Sequence, residues 1–242
     1  MLITVVTVCY NSENYIERTL KSVLGQNYQN YEYIIIDGKS TDKTCSIISS
    51  YKEKINLFIS EPDTGIYNAM NKAILKAKGE WIIFLNAGDT FVDESTLEKV
   101  SPFLIENRAD VVYGDIYKKR KSGELLLKRA EKQGNKHRMY FCHQAVFCRT
   151  SLLKKYQFDE KYRLSADFKF FKQIFIDGYR FCQINMPISV FDTTGISNTN
   201  RNAGLMENIN VIKELDNVFT KIKLLPRLYF VVFWNNLRKK KH

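Results

Sequence analysis

The sequence contains no G-x-G-x-x-G and no G-x-x-x-x-G-K-[ST], so neither a dinucleotide-binding turn of the usual kind nor a P-loop is available to hold phosphates. Its five cysteines are odd in number and include no C-x-x-C pair, which argues against a disulfide framework and for reduced thiols in a cytoplasmic protein. Cys142, His143 and Cys148 have the chemistry of zinc ligands, but their spacing fits no common zinc site. No apolar run approaches the roughly 18 residues that a membrane span requires. The opening run Leu2–Val8 is too short for a secretory leader and lacks its basic start. A cytoplasmic location is therefore expected. No internal repeat or low-complexity tract is present, which excludes a solenoid.

What remains is a chain of 242 residues with an ordinary globular composition, enough for one sizeable α/β domain. Its net charge of +11 is concentrated. Residues 115–138 and 201–242 each hold nine Lys/Arg against three acids, leaving the rest of the chain near neutral. Localised basic surface of this kind suits phosphate-bearing small molecules, anionic lipid or nucleic acid.

Hydrophobic patterning supplies the fold class. Strand-like runs at Leu2–Val8, Tyr31–Ile36, Ile55–Ser60 and Trp81–Asn86 alternate with helical patterns at Glu13–Leu24, around Ile47–Tyr51, and at Ile66–Ala77. This β-α-β-α-β-α-β order predicts an α/β protein with a mostly parallel sheet and helices on both faces. Further on, Leu97–Asn107 reads as a helix, Val111–Tyr113 as a strand, and the basic stretch Lys118–Arg138 as a hairpin or mobile loop. Ala145–Phe147 and Ile184–Phe191 read as strands, and Ser151–Tyr156, Ala166–Gly178 and Ala203–Lys223 as helices. The expected division is a catalytic domain over 1–200 and a helical basic C-terminal extension over 201–242.

In an open α/β sheet ligands gather at the carboxyl ends of the strands. Here those ends carry Tyr10 and Asn11, Asp37, and Asn86 with Asp89, and the linker after the third strand adds Asp63. Carboxylates crowded on one rim repel one another unless they bind a cation or accept hydrogen bonds from a ligand. A nucleotide with Mn²⁺ or Mg²⁺ meets that requirement, with Asp89 as the natural metal ligand.

Four ordered segments carry a resemblance: Thr4–Asn11, Ile36–Thr44, Ser60–Lys72 and Phe84–Asp89. They resemble the successive motifs of family 2 glycosyltransferases, over roughly residues 1–195. The resemblance implies a GT-A fold, a nucleotide-sugar donor with UDP the expected nucleotide, and inversion at the anomeric carbon. It implies that Thr7, Tyr10, Asn11, Asp37, Asp63 and Asn86 line the nucleotide site and that Asp89 holds the metal at the donor diphosphate. Ser165-Ala166-Asp167-Phe168 resembles the segment that supplies the catalytic base, which gives Asp167 that role. His143-Gln144 resembles an element near the donor phosphates or acceptor, and Asp115 is either a sugar or acceptor contact or part of a turn. Two departures stand out: Asn86 and Gly88 occupy positions where paired acids are common, and Gly38 follows Asp37 where a second acid is common.

The implied acceptor is a lipid-linked glycan of bacterial O-antigen, capsule or exopolysaccharide synthesis. The C-terminal run Leu228–Trp234, followed by Arg238–Lys241, has apolar residues all around. It either lies peripherally on an anionic membrane surface or packs on the domain. The reading from a different class is a non-catalytic nucleotide-sugar or nucleic-acid binder using the basic segments, although no nucleic-acid partner is expected.

Overall fold

The computed structural model describes residues 1–106, 109–120, 122–192 and 201–239. Its first half alternates as the patterning predicts: β1 (Ile3–Cys9), α1 (Ile16–Leu24), β2 (Tyr31–Asp37), α2 (Thr44–Ser49), β3 (Leu57–Ser60), α3 (Ile66–Lys76) and β4 (Trp81–Phe84). The second half comprises β5 (Thr90–Phe91), α4 (Thr96–Glu106), β6 (Val111–Lys119), β7 (Leu125–Lys128), β8 (Val146–Arg149), α5 (Thr150–Tyr156), α6 (Ala166–Ile176), β9 (Phe181–Asp192), α7 (Arg201–Leu215) and α8 (Val218–Lys239). The strands form one sheet in the order β3-β2-β1-β4-β8-β6-β9-β5, with β7 hydrogen-bonded to β6.

The four N-terminal strands are parallel throughout. Beyond β4 the sheet is mixed: β8 runs antiparallel to both β4 and β6, whereas β6 and β9 are parallel. The basic segment after β6 folds back as the β6–β7 hairpin. Residue 107 of the expected helix and residue 121 of that segment lie outside the described residues.

Period-2 alternation divides the sheet's residues between two cores. Val6, Val8, Ile34, Ile36, Ile82 and Phe84 face one side, with α3, α5, α6 and α7 packed against them. Val5, Tyr33, Ile35 and Ile83 face the other, covered by α1 and α4. Helix α6 buries Phe168, Phe170, Phe171 and Ile174, which fixes Asp167 in its first turn.

The C-terminal helices are not a detached appendage. Ile209, Val211 and Ile212 of α7 and Leu224 and Leu228 of α8 belong to the same core cluster as α6. The single helix expected over Ala203–Lys223 breaks at Asp216-Asn217, where α7 ends and α8 begins. Asp216 is held there by Lys172 of α6: the ammonium lies 2.7 Å from Oδ2 as an ion pair, with both side chains almost fully buried. Asn135 donates to Asp216 Oδ1 at 2.7 Å and accepts from Lys172, so loop, α6 and the α7–α8 corner share one buried polar junction.

Candidate active site

The C-terminal edge of the parallel strands remains in register past the strands themselves. Gly38 N–H donates to Cys9 O, Glu61 N–H to Asp37 O, and Leu85 and Ala87 N–H to Val6 and Val8 O. The polar residues singled out in the sequence therefore share one rim, but they serve it in different ways.

Asp37 is fully buried. Its carboxylate accepts from the Ser40 amide at 2.9 Å, the Ser40 hydroxyl, the Ser60 hydroxyl at 2.7 Å and the Cys45 thiol at 3.2 Å. Burial pushes its pKa up, but the Ser40, Ser60 and Cys45 hydrogen bonds outweigh that and hold it below the ordinary value. Such a carboxylate organises the 38–44 loop. Thr7 is likewise buried, donating to Leu85 O at 2.7 Å and paired with the Tyr33 hydroxyl at 2.9 Å. Thr7 and Asp37, both expected among the nucleotide-contacting residues, thus sit directly beneath the rim, each hydrogen-bonded to its own neighbours. Asn11, at φ 46°, accepts from the Thr41 amide at 2.9 Å and closes the same loop from above.

Tyr10 and Asp63 do come together, and Gly38 lets them. A Cβ at Gly38 would lie 2.5 Å from Asp63 Oδ2 and 3.3 Å from the Tyr10 ring. The Asp63 carboxylate accepts from the Gly65 amide at 3.0 Å, at the start of α3. An exposed aromatic face, a half-buried carboxylate and bare backbone thus form one end of the rim. That set can stack on a planar base and accept a hydrogen bond from its N–H.

The other end is built around Asp167. Its Oδ1 accepts from the Tyr67 hydroxyl at 2.9 Å and from the Phe168 amide at 2.8 Å, and its Oδ2 faces His143 Nδ1 at 3.5 Å. Asn86 Nδ2 lies 3.1 Å from His143 Nε2. With the amide donating, Nε2 accepts, and Nδ1–H is the proton turned toward Asp167. Burial pushes the Asp167 carboxyl up, yet the His143, Tyr67 and Phe168 interactions together hold it below the usual carboxylate range. The same charge and burial push the Tyr67 phenol well up, so it remains a donor. With its side chain 17% exposed, Asp167 is an ionised acceptor still open to a substrate hydroxyl.

The segment before α6 is pinned to α3. Asn71 Nδ2 donates to Phe158 O at 2.8 Å and Asn71 Oδ1 accepts from Phe158 N–H at 2.9 Å. Glu160 accepts from Thr64 at 3.1 Å, Asn68 at 3.1 Å and Asn71 at 3.1 Å. Tyr67 and Glu160 were not singled out from sequence, and Gly38 only as a departure from the family pattern. Tyr67 and Gly38 stand inside the recognised motifs, where a polar Tyr beside a helix start and a Gly after a strand-end Asp were the available signals. Glu160 had none, since its partners lie about 90 positions away along the chain.

Asp115 is buried in β6, and its Oδ1 accepts from the Ala130 amide at 2.7 Å, anchoring the strand that follows the hairpin.

The turn after β4 decides the fit of a metal. Asp89 is only 5% exposed; its amide donates to Asn86 O and its carbonyl accepts from Thr19. Gly88, at φ 105°, faces the Arg18 guanidinium, which would lie 3.0 Å from a Cβ there. Among the described residues no three His, Cys, Asp or Glu side chains converge on a cation position. A hard divalent ion needs accessible anionic oxygens, and this turn offers a buried acid and a neighbouring cation instead. The turn presents no group of three acids or imidazoles that fits a resident Mn²⁺ or Mg²⁺ among the described residues, and Asp89, the expected ligand, lies buried in it.

The rim of the parallel half of the sheet thus carries an aromatic-carboxylate pair at one end and a hydrogen-bonded carboxylate at the other. Residues 4–173 match the model of Glycosyl transferase family 2, and the chain belongs to that family. Relatives include the PGL/p-HBAD biosynthesis glycosyltransferase of Mycobacterium bovis, 32% identical over 160 residues that cover 62% of this chain and 60% of the relative. The poly(ribitol-phosphate) beta-N-acetylglucosaminyltransferase TarS of Staphylococcus aureus is 32% identical over 117 residues, covering 46% of this chain and 20% of TarS. The chain thus spans less than two thirds of the length of these relatives.

Among solved structures, TarS 1-349 in complex with UDP superposes with a TM-score of 0.69 at 22% identity, covering 90% of this chain and 67% of that one. The mannosyltransferase PcManGT of Pyrobaculum calidifontis, in complex with GDP-Man and Mn²⁺, gives 0.68 at 18% identity, covering 88% and 63%. Both likenesses show the GT-A fold.

Proposed function

We propose that this chain is an inverting glycosyltransferase that moves a sugar from a nucleotide sugar, with UDP the expected nucleotide, to a lipid-linked glycan of the bacterial cell surface. The observation that carries the reading is Asp167: an ionised, partly open carboxylate fixed by Tyr67, Phe168 and His143 on the rim that also holds Tyr10 and Asp63. In the proposed reaction the acceptor hydroxyl oxygen attacks the anomeric carbon while its proton passes to Asp167 Oδ2. The bond from that carbon to the diphosphate oxygen breaks on the opposite face, and the nucleoside diphosphate departs. Positioned base catalysis of this type contributes about 10² to 10⁴-fold.

In this reading Tyr10 stacks on the base, Asp63 accepts from a base N–H, and Asn86 and His143 flank the transferring sugar. A Mg²⁺ or Mn²⁺ would be held largely by the phosphates of the donor itself, with Asp89 the one carboxylate of the turn after β4 to add to them. A lipid-linked acceptor places the working enzyme peripherally on the membrane. Relatives named for PGL/p-HBAD biosynthesis and for transfer to poly(ribitol-phosphate) support a biosynthetic acceptor of this kind. The test is a screen of nucleotide sugars for release of free nucleoside diphosphate, with and without polyprenyl-diphosphate saccharides. Turnover that rises with such an acceptor is expected, and no turnover of any donor would overturn the proposal.

A further inference from the structure

The sequence of α8 looks apolar on all sides, and the structure resolves this into two faces with different tasks. Leu224 and Leu228 are buried against the core shared with α6 and α7. The opposite face carries Phe219 (85% exposed), Ile222 (68%), Phe230 (64%) and Phe233 (60%), with Tyr229 and Trp234 beside them. Phe219–Ile222 and Phe230–Phe233 are each three residues apart, and exposed Pro226 lies midway between the two pairs, so together they form one stripe on a helix of 22 residues. Apolar patches on soluble monomers seldom extend so far without a partner.

Charge selects the occupant. Between Val218 and Lys239 the helix has no acid and five cations, Lys221, Lys223, Arg227, Arg238 and Lys239. Lys223 and Arg227 are exposed. A second copy laid on this face would set one all-cationic helix against another, whereas an anionic lipid surface takes both the aromatic stripe and its basic border. No helix among the described residues is long and apolar enough to cross a membrane, so the helix lies along the surface.

We infer that the outward face of α8 docks the enzyme on anionic lipid, and that its rigid ties to α6 set the height of the catalytic carboxylate above that surface. The ties are specific. Glu207 of α7 accepts from the Arg163 amide at 3.1 Å and the Leu164 amide at 2.8 Å, just before Asp167. Glu214 accepts from the Tyr162 hydroxyl at 2.6 Å and pairs with Lys169 of α6. The buried Lys172–Asp216 pair fixes the corner where α8 begins. The surface is thus coupled to the segment around Asp167 by side chains from the middle and the C-terminal end of α7. This inference rests on the lipid-linked acceptor reading for its purpose, but not for its test.

The test is co-sedimentation of the full chain with vesicles of phosphatidylcholine containing about one-third phosphatidylglycerol, against pure phosphatidylcholine, over a range of salt. Salt-sensitive binding to the anionic vesicles alone is expected. Phe219→Asp with Phe230→Asp should abolish it while donor hydrolysis persists, which shows that the variant is folded. Lys223→Glu with Arg227→Glu should weaken it about tenfold or more, each cation being worth about fivefold in partition. Wild type that ignores anionic vesicles, or an aspartate variant that binds as wild type, overturns the inference. So does a concentration-dependent dimer that the same substitutions dissolve, which would assign the face to a second copy. Vesicle binding without turnover of any donor overturns the transferase reading alone, and donor turnover without vesicle binding overturns this surface alone.

Discussion

The two ends of the rim are built on opposite principles. At the Tyr10–Asp63 end, every strand is parallel and the supporting polar groups come from adjacent loops, so Asp37 is satisfied by Ser40, Cys45 and Ser60. At the Asp167 end, the surroundings of the proposed base are assembled from distant pieces: Tyr67 is 100 positions away and Glu160 is tied to Thr64, 96 positions away. The first end is a local construction that a short motif can specify. The second depends on the packing of α3, α6 and α7, so damage far from the rim should reach it.

Four perturbations separate the two ends. The largest effect is expected at the buried junction beneath α6. Lys172→Met leaves Asp216 charged and unpaired in the core, which costs about 3–5 kcal/mol. Thermal unfolding should shift down by many degrees, and an unchanged Tm would show that α7 and α8 do not brace the catalytic helix. At the other end, Gly38→Ala places a Cβ where only 2.5 Å separates it from Asp63 Oδ2. Loss of a hydrogen bond to that carboxylate should weaken donor binding about tenfold or more with little effect on Tm, measured by calorimetric titration against differential scanning.

A smaller, directional effect is expected from Tyr67→Phe. The phenol hydrogen bond favours the ionised form of Asp167, whose pKa is lowered in the folded protein. The carboxylate is therefore the working form above that lowered pKa, and activity is lost as pH falls through it. Without the phenol the pKa rises, so the acidic limb of the pH–rate profile should move to higher pH. A limb that stays in place would remove Tyr67 from the base's environment. The smallest effect concerns the turn after β4: Asp89→Asn should lower Tm and raise the Mn²⁺ concentration for half-maximal donor hydrolysis only modestly, the donor phosphates holding most of the ion. An unchanged concentration would remove Asp89 as a ligand.

The same contrast explains what the sequence made legible. Alternating strand and helix periods placed β1 to β4 and their helices, and the motifs placed Tyr10, Asp63, Asn86, His143 and Asp167 on or near the rim. Burial was not legible: Thr7, Asp37, Asp89 and Asp115 all carry ligand-like chemistry, and only the fold shows how deep each side chain sits and which hydroxyls and amides it meets. The antiparallel insertion of β8 between β4 and β6 also escaped, because a short apolar run carries no sign of its direction. For α8, composition suggested an apolar helix on all sides, and only the position of α6 and α7 determines which half is left outside.

The central claim is that Asp167 takes the acceptor proton while the donor is held elsewhere on the rim. The most direct measurement pairs the transfer rate of Asp167→Asn at saturating donor with its donor dissociation constant by calorimetric titration. The amide cannot accept the proton, so the account predicts a fall in transfer of about 10² to 10⁴-fold with donor affinity nearly unchanged. Transfer at the wild-type rate, or a loss explained entirely by weakened donor binding, would contradict it.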